Sequence, residues 1–166
     1  LPTSIENIGY QGFSRVGENL TLQDSELIDL NLPNLSTIGW DCFALCKCIK
    51  SITSLGSITQ IPYGCFDDCS NIITVNIPSS VTSLANYVFK NVKSNCIVHF
   101  LATTPPTIPS DENTITPNTV KVYVGDGSSA ANDNAILQAY LADTNWATYI
   151  GSSRLDTWYN YLHPTA

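Results

Sequence analysis

Apolar residues in this chain recur on an interval far longer than a helical or strand period. Phe43, Phe66 and Phe89 are 23 residues apart. The same interval separates Leu35, Ile58 and Val81, and again Ile38, Ile61 and Leu84. Cys46, Cys69 and Val92 each follow a Phe by three residues, as Val16 follows Phe13. Several columns agreeing over successive periods mark an internal repeat. The opening stretch LPTSIENIGYQGF is one copy. Set against IPSSVTSLANYVF (77–89), Leu1-Pro2 matches Ile77-Pro78, Ser4-Ile5 matches Ser80-Val81, Ile8 matches Leu84 and Phe13 matches Phe89. The step from Phe13 to Phe43 is 30 residues, seven more than the period, which places an insertion at about 17–27. Either NLTL or LIDLNL is the strand of that copy, and the pattern leaves both open.

Each unit carries two local periods. Val75 and Ile77 alternate with polar neighbours, as a short strand does. Leu27, Leu30 and Leu32, then Ile49 and Ile52, form the corresponding segments upstream. Ile61, Cys65, Phe66 and Cys69 fall on one face of a helix or 3₁₀ turn. Pro33 and Pro78 follow the strand and end it. One such unit cannot bury its own apolar face, so neighbours must stack, with Phe upon Phe.

The unit resembles the leucine-rich repeats of the BspA-like family, a class of bacterial and protist surface proteins. IGWDCFALC (38–46) and IPYGCFDDC (61–69) carry the resemblance, with Cys42, Cys65 and Gly12 where the family pattern has Ala and Val92 where it has Cys. The resemblance covers about residues 1–100. It implies an α/β fold: a short right-handed solenoid of three to four coils, each with a strand and a short helix or 3₁₀ turn. Residues 101–166 are expected to form a C-terminal α/β cap on the last repeat.

In that second part, VKVYV (120–124) reads as a strand. NDNAILQAYLADTNWATYI (132–150) reads as a helix, N-capped by Asn132 or Asp133, with Ile136, Leu137, Tyr140 and Leu141 inward and Trp146 packed beyond. Leu155, Trp158, Tyr159 and Leu162 stand at helical spacing, which predicts a short helix packed back on the cap.

Composition narrows the function. Only 13% of residues are charged, about half the usual ~25%. Net charge is −7, with no Lys/Arg cluster. Nucleic-acid partners and anionic membranes both require such a cluster, so both are excluded as expected partners. No apolar run reaches the ~18 residues that span a bilayer. With no Met and no visible signal segment, a mature or truncated form is expected. The family resemblance implies an extracellular or cell-surface location.

The six cysteines raise the question of metal. Cys42 and Cys65 share one repeat column, and Cys46 and Cys69 share another, so buried free thiols are the expected reading. A disulfide between stacked coils is the alternative, with Cys48 and Cys96 least constrained. No cofactor or metal is expected. Catalysis is not expected either: the sequence holds two histidines and no G-x-S-x-G, H-E-x-x-H or phosphate-loop motif. The short acidic pairs Asp67-Asp68 and Asp111-Glu112 fall at turn positions.

Strand residues that alternate with the core should line an open sheet face. These are Asp29, Asn31, Ser51, Thr53, Thr74, Asn76 and His99, two ladders of mostly small polar side chains. The expected function is a noncatalytic extracellular binding or adhesion module whose partner is a host protein or glycan. The alternative is a structural spacer or capping segment of a larger surface protein, with no ligand of its own.

Overall fold

The computed structural model describes residues 1–111 and 113–164, so Glu112 of the second acidic pair lies outside the described residues. Among the described residues, ten short strands follow one another: β1 (Asn7–Ile8), β2 (Ile28–Asn31), β3 (Thr37–Ile38), β4 (Ile49–Ser54), β5 (Gln60–Ile61), β6 (Thr74–Ile77), β7 (Ser83–Leu84), β8 (Ile97–Phe100), β9 (Lys121–Val124) and β10 (Leu155–Thr157). Two α-helices, α1 (Ala130–Ala142) and α2 (Trp158–Leu162), lie in the C-terminal part. The main sheet is parallel and six-stranded, in the order β10-β9-β8-β6-β4-β2. Two smaller parallel pairs, β1-β3 and β5-β7, line another side of the coils.

A phenylalanine stack runs through the interior. Phe13, Phe43, Phe66 and Phe89 lie in successive coils, each pair of rings 5.5 Å apart and within 7° of parallel. The spacing follows from the backbone: coils held by interstrand hydrogen bonds sit about 4.8 Å apart, which brings one planar ring onto the next. Phe43, Phe66 and Phe89 are buried, whereas Phe13 is half-buried in the first coil. Leu30, Ile52, Val75 and Val98, on the inner face of the main strands, complete the core.

The insertion resolves in favour of LIDLNL. Ile28–Asn31 is the strand, and NLTL lies in the irregular loop before a 3₁₀ turn at Asp24–Glu26.

The segment around each Phe, expected as a helix or 3₁₀ turn, is a run of stacked β-turns. Alternate amides serve two purposes. Ala44 N–H and Cys46 N–H bond the carbonyls of Asp41 and Phe43, three residues back, at 3.1 and 3.2 Å. Asp41, Phe43 and Leu45 N–H instead bond the next coil, at Tyr63, Cys65 and Asp67 carbonyls, at 2.7–2.9 Å. Positive φ makes this alternation possible. Gln11, Asp41, Gly64 and Tyr87 form one left-handed column, and Arg15, Leu45, Asp68 and Asn91 form another. A right-handed helix cannot pass through either, and each non-glycine member costs on the order of 1 kcal/mol.

Residues 101–120 lay one more partial turn on the stack. Ser83 pairs with Thr107, and Phe89 pairs with Ile115. Buried Ile115 thus takes the place where another Phe would sit. Helix α1 begins one turn earlier than the sequence suggested. Ser129 is its N-cap, accepting from Asn132 N–H at 3.2 Å, while Asp133 is buried inside the first turn. Ile136 and Tyr140 are buried as expected, Leu137 and Leu141 partly so. Trp146 packs edge-on to Phe100 at 5.1 Å. Leu155–Thr157 is a strand rather than helix. It pairs with β9 and lets the chain turn directly into α2.

Truncating the stack should be most costly in its middle. Phe66→Ala is expected to cost about 3–5 kcal/mol of unfolding free energy in a urea titration. Phe13→Ala should cost clearly less, because its ring is already partly in water.

Candidate binding surface

The outward positions of the main sheet form rows across the strands. Asp29 lies opposite Ser51, and Ser51 opposite Thr74. Ser51 Oγ donates to Asp29 Oδ1 at 2.5 Å, which ties two coils together. Asp29 and Asn31 are exposed, Thr74 and Asn76 are half-buried, and Ser51 is buried between its neighbours. The second row is not the one expected. A bulge in β4 makes Ser54, not Thr53, the partner of Asn31. Thr53 is displaced from the ladder, and its Oγ1 donates back to the Leu30 carbonyl at 3.2 Å. One extra residue in one strand moves the later residues of that strand to new partners.

His99 departs further from expectation. It lies opposite Asn76 on the outward side, yet it is 4% exposed. The Trp158 indole covers it, stacked at 3.9 Å and 11°, and its Nε2 is 2.7 Å from the Gly125 carbonyl. Tyr123 continues the row on β9, with Trp158 edge-on to it at 5.9 Å and Tyr161 at 5.0 Å. The polar ladder therefore ends in an aromatic cluster, of which Tyr161 is 42% exposed. Sequence reasoning found no aromatic anchor on this face, because the Trp158 and Tyr161 rings come from a segment about sixty residues downstream of the ladder they meet. Their only sequence signal is the aromatic density of WYNY (158–161).

Asp133 holds that cluster in place. Its buried carboxylate accepts from three backbone N–H groups: Asp126 at 3.2 Å, Gly127 at 3.1 Å and Tyr159 at 2.8 Å. It thereby joins the loop after β9 to the start of α2. Gly125 (φ +99°) lies so close that a Cβ there would collide with the Asp133 carboxylate. Buried Arg154 secures the neighbouring loop, donating from Nε and Nη2 to the carbonyls of Val120 and Ile115 at 3.1 and 2.8 Å.

The cysteines behave as core. All six are free, five are buried, and Cys48 is half-buried. Cys46 Sγ and Cys69 Sγ donate to the carbonyls of Phe13 and Phe43 in the preceding coil, so the cysteine column also bonds coil to coil. Burial pushes the Cys42 and Cys96 thiols up to about 12 and that of Cys46 to about 11. Thiols held that high are poor nucleophiles. His163 Nδ1 bonds the Tyr159 carbonyl, and no hydrogen bond joins a histidine to a hydroxyl or thiol among the described residues.

A parallel β-solenoid with a 23-residue unit, a phenylalanine stack and a polar outer sheet face defines a leucine-rich repeat protein. More narrowly, the profile of the BspA-type leucine-rich repeat region matches residues 18–110, over half of the chain. The chain belongs to that family. The match begins after Phe13 and the turn of the first coil, the copy with Gly12, and takes in the insertion. Among solved structures, the chain is similar to a leucine-rich repeat protein from Bacteroides ovatus, at 14% identity and a TM-score of 0.42. The alignment covers 76% of this chain and 42% of that one, so the chain spans less than half of that protein's length. No curated protein matches. Proteins of the BspA-type family are typically surface or secreted, and leucine-rich repeat families are generally noncatalytic.

Two measurements probe these buried groups. Burial, the largest influence, lowers the His99 pKa below 6.5, against smaller opposing effects from the Gly125 carbonyl and Asp133. The folded state thus favours neutral His99. Its contribution to stability should be full above pH 6.5 and should fall as acidification protonates the unfolded chain first. Melting temperatures followed by tryptophan fluorescence between pH 8 and 5 should show this decline, and His99→Gln should flatten it. Separately, a thiol reagent applied to the native protein should label Cys48 alone, with the other five reacting only after unfolding.

Proposed function

We propose that this chain is a noncatalytic extracellular binding module, an adhesive segment of a cell-surface or secreted protein. One observation carries the reading: the polar sheet face of β2, β4 and β6 runs into a partly exposed aromatic cluster built on β9 and α2. Tyrosine and tryptophan beside small hydrogen-bonding side chains form the mixture that recognition surfaces use. The partner is a host protein or glycan that lies along the ladder, contacting Asp29, Asn31, Thr74 and Asn76 and abutting Tyr161. The C-terminal part serves this face as its end wall and covers the last coil of the stack. His99 supports the wall beneath Trp158 instead of touching a ligand.

A second reading, a spacer within a longer stack, is favoured by the surface of the first coil. There Leu1, Val16 and Ile28 are exposed beside half-buried Phe13 and border a small apolar cleft of about 60 Å³. Such a surface suits another coil stacked on it.

A binding screen against extracellular-matrix proteins and a glycan array tests the first reading. The combined Asn31→Ala and Asn76→Ala variant should bind any ligand found about fivefold or more weakly, as should Tyr161→Ala. Unchanged binding by both variants, or no ligand at all, leaves the spacer reading standing.

A further inference from the structure

A second row of side chains runs along the solenoid away from the main sheet, on the turns after the minor strands. Tyr10, Trp40 and Tyr63 occupy one repeat column, three residues before each stacked Phe. Hydrogen bonds join successive rungs: Gln11 N–H to the Trp40 carbonyl at 3.0 Å, and Asp41 N–H to the Tyr63 carbonyl at 2.9 Å. The backbones of the rungs are therefore about one coil spacing apart. These are large rings left in water, with Tyr10 67%, Trp40 63% and Tyr63 43% exposed. Tyr87, one position displaced in the next coil, meets Tyr63 edge-on at 5.2 Å.

Carboxylates border this row. Asp41 reaches across to the next coil, so close to Gly64 that a Cβ there would collide with its carboxylate. Asp67 lies near it, with one carboxylate oxygen buried and without a hydrogen-bond partner. Its carboxyl is raised by burial first and then by the nearby charges of Asp68 and Asp41. A cation already sits at the end of the row: Lys90 Nζ lies 4.4 Å from the centre of the Tyr87 ring. The chain's net charge of −7 favours cationic partners as a whole.

We propose that this exposed aromatic ladder is a second binding surface, and that its partner is an extended peptide segment carrying arginine or lysine. Ring faces and edges beside carboxylates suit guanidinium and ammonium groups, which stack on the one and pair with the other. The four aromatic rungs span about 15 Å at the strand spacing. An extended peptide presents side chains to one face about every 6.6 Å, so two or three cations fit along it. This surface is separate from the sheet face proposed above and does not depend on it.

Titration with an Arg-Gly repeat peptide at physiological ionic strength, followed by calorimetry, tests the proposal. The combined Tyr10→Ala and Trp40→Ala variant keeps the net charge and should weaken binding about tenfold. Its melting temperature should stay unchanged, because these rings are largely in water. Asp41→Asn should weaken binding less. Lys90→Ala should tighten it about two- to threefold, by removing a like charge and freeing the Tyr87 face. Asn31→Ala with Asn76→Ala should have no effect. Equal binding by the parent and the aromatic-deleted variant would mean diffuse charge attraction and would overturn the proposal, as would no binding by the parent. A neutral oligosaccharide that binds in the peptide's place, and is lost with Trp40, would overturn it in favour of a glycan platform.

Discussion

The constraint on which the structure rests is the fixed separation of its coils. Backbone hydrogen bonds between parallel strands set that separation at about 4.8 Å, and the phenylalanine rings lie 5.5 Å apart with nearly parallel planes. A planar ring stacks well at such a spacing. The thiols of Cys46 and Cys69 reinforce the same separation from beside the rings. Every column in the repeat is a consequence: a side chain in one coil meets the same position in the next, and the meeting must be acceptable.

The backbone meets this demand by giving up the helix. Stacked β-turns let alternate amides reach the neighbouring coil, so the turn side is held across coils as the sheet side is. The cost is two columns of left-handed residues, most of them not glycine. Asp and Asn adopt that conformation more readily than most, and Asp41, Asp68 and Asn91 stand there. Leu45, Arg15 and Tyr87 lack that preference. They are tolerated because coil-to-coil bonds at 2.7–3.1 Å fix the surrounding backbone.

What the sequence made legible was whatever repeats. The phenylalanine and cysteine columns, the inward strand residues and the insertion before β2 could all be read by aligning the chain with itself. Features that break the period were hidden. The bulge in β4 changes the partner of Asn31 by one residue, and its one trace in the core is that Ile52 and Leu55 lie further apart along the chain than Leu30 and Leu32 or Val75 and Ile77. The choice of turns over helix turns on the sign of φ at Asp41 and Leu45, to which side-chain hydropathy is blind. His99 alternates with core residues and so reads as exposed, but the covering Trp158 arrives from 59 positions later. Leu155 and Trp158 have helical spacing, yet a strand's unpaired edge on β9 claims residues 155–157 first.

The outward columns need a different kind of explanation from the inward ones. An inward Phe is fixed by the ring beneath it, so its identity follows from packing. The column of Tyr10, Trp40 and Tyr63 is not packed in this way, although Tyr63 meets the displaced Tyr87 edge-on: Asn86 occupies the same column in the next coil, and that coil packs no worse, with Phe89 fully buried below it. Folding therefore sets no requirement for aromatic residues there. Large rings kept in water lower solubility and invite association, so a position free to be Asn carries Tyr or Trp at some cost. The polar ladder on the main face is the reverse case, since small polar residues are what a solvated sheet face holds with or without a ligand. On this reasoning the aromatic column departs further from what stacking alone demands, and selection for contact explains that departure where selection for stability does not.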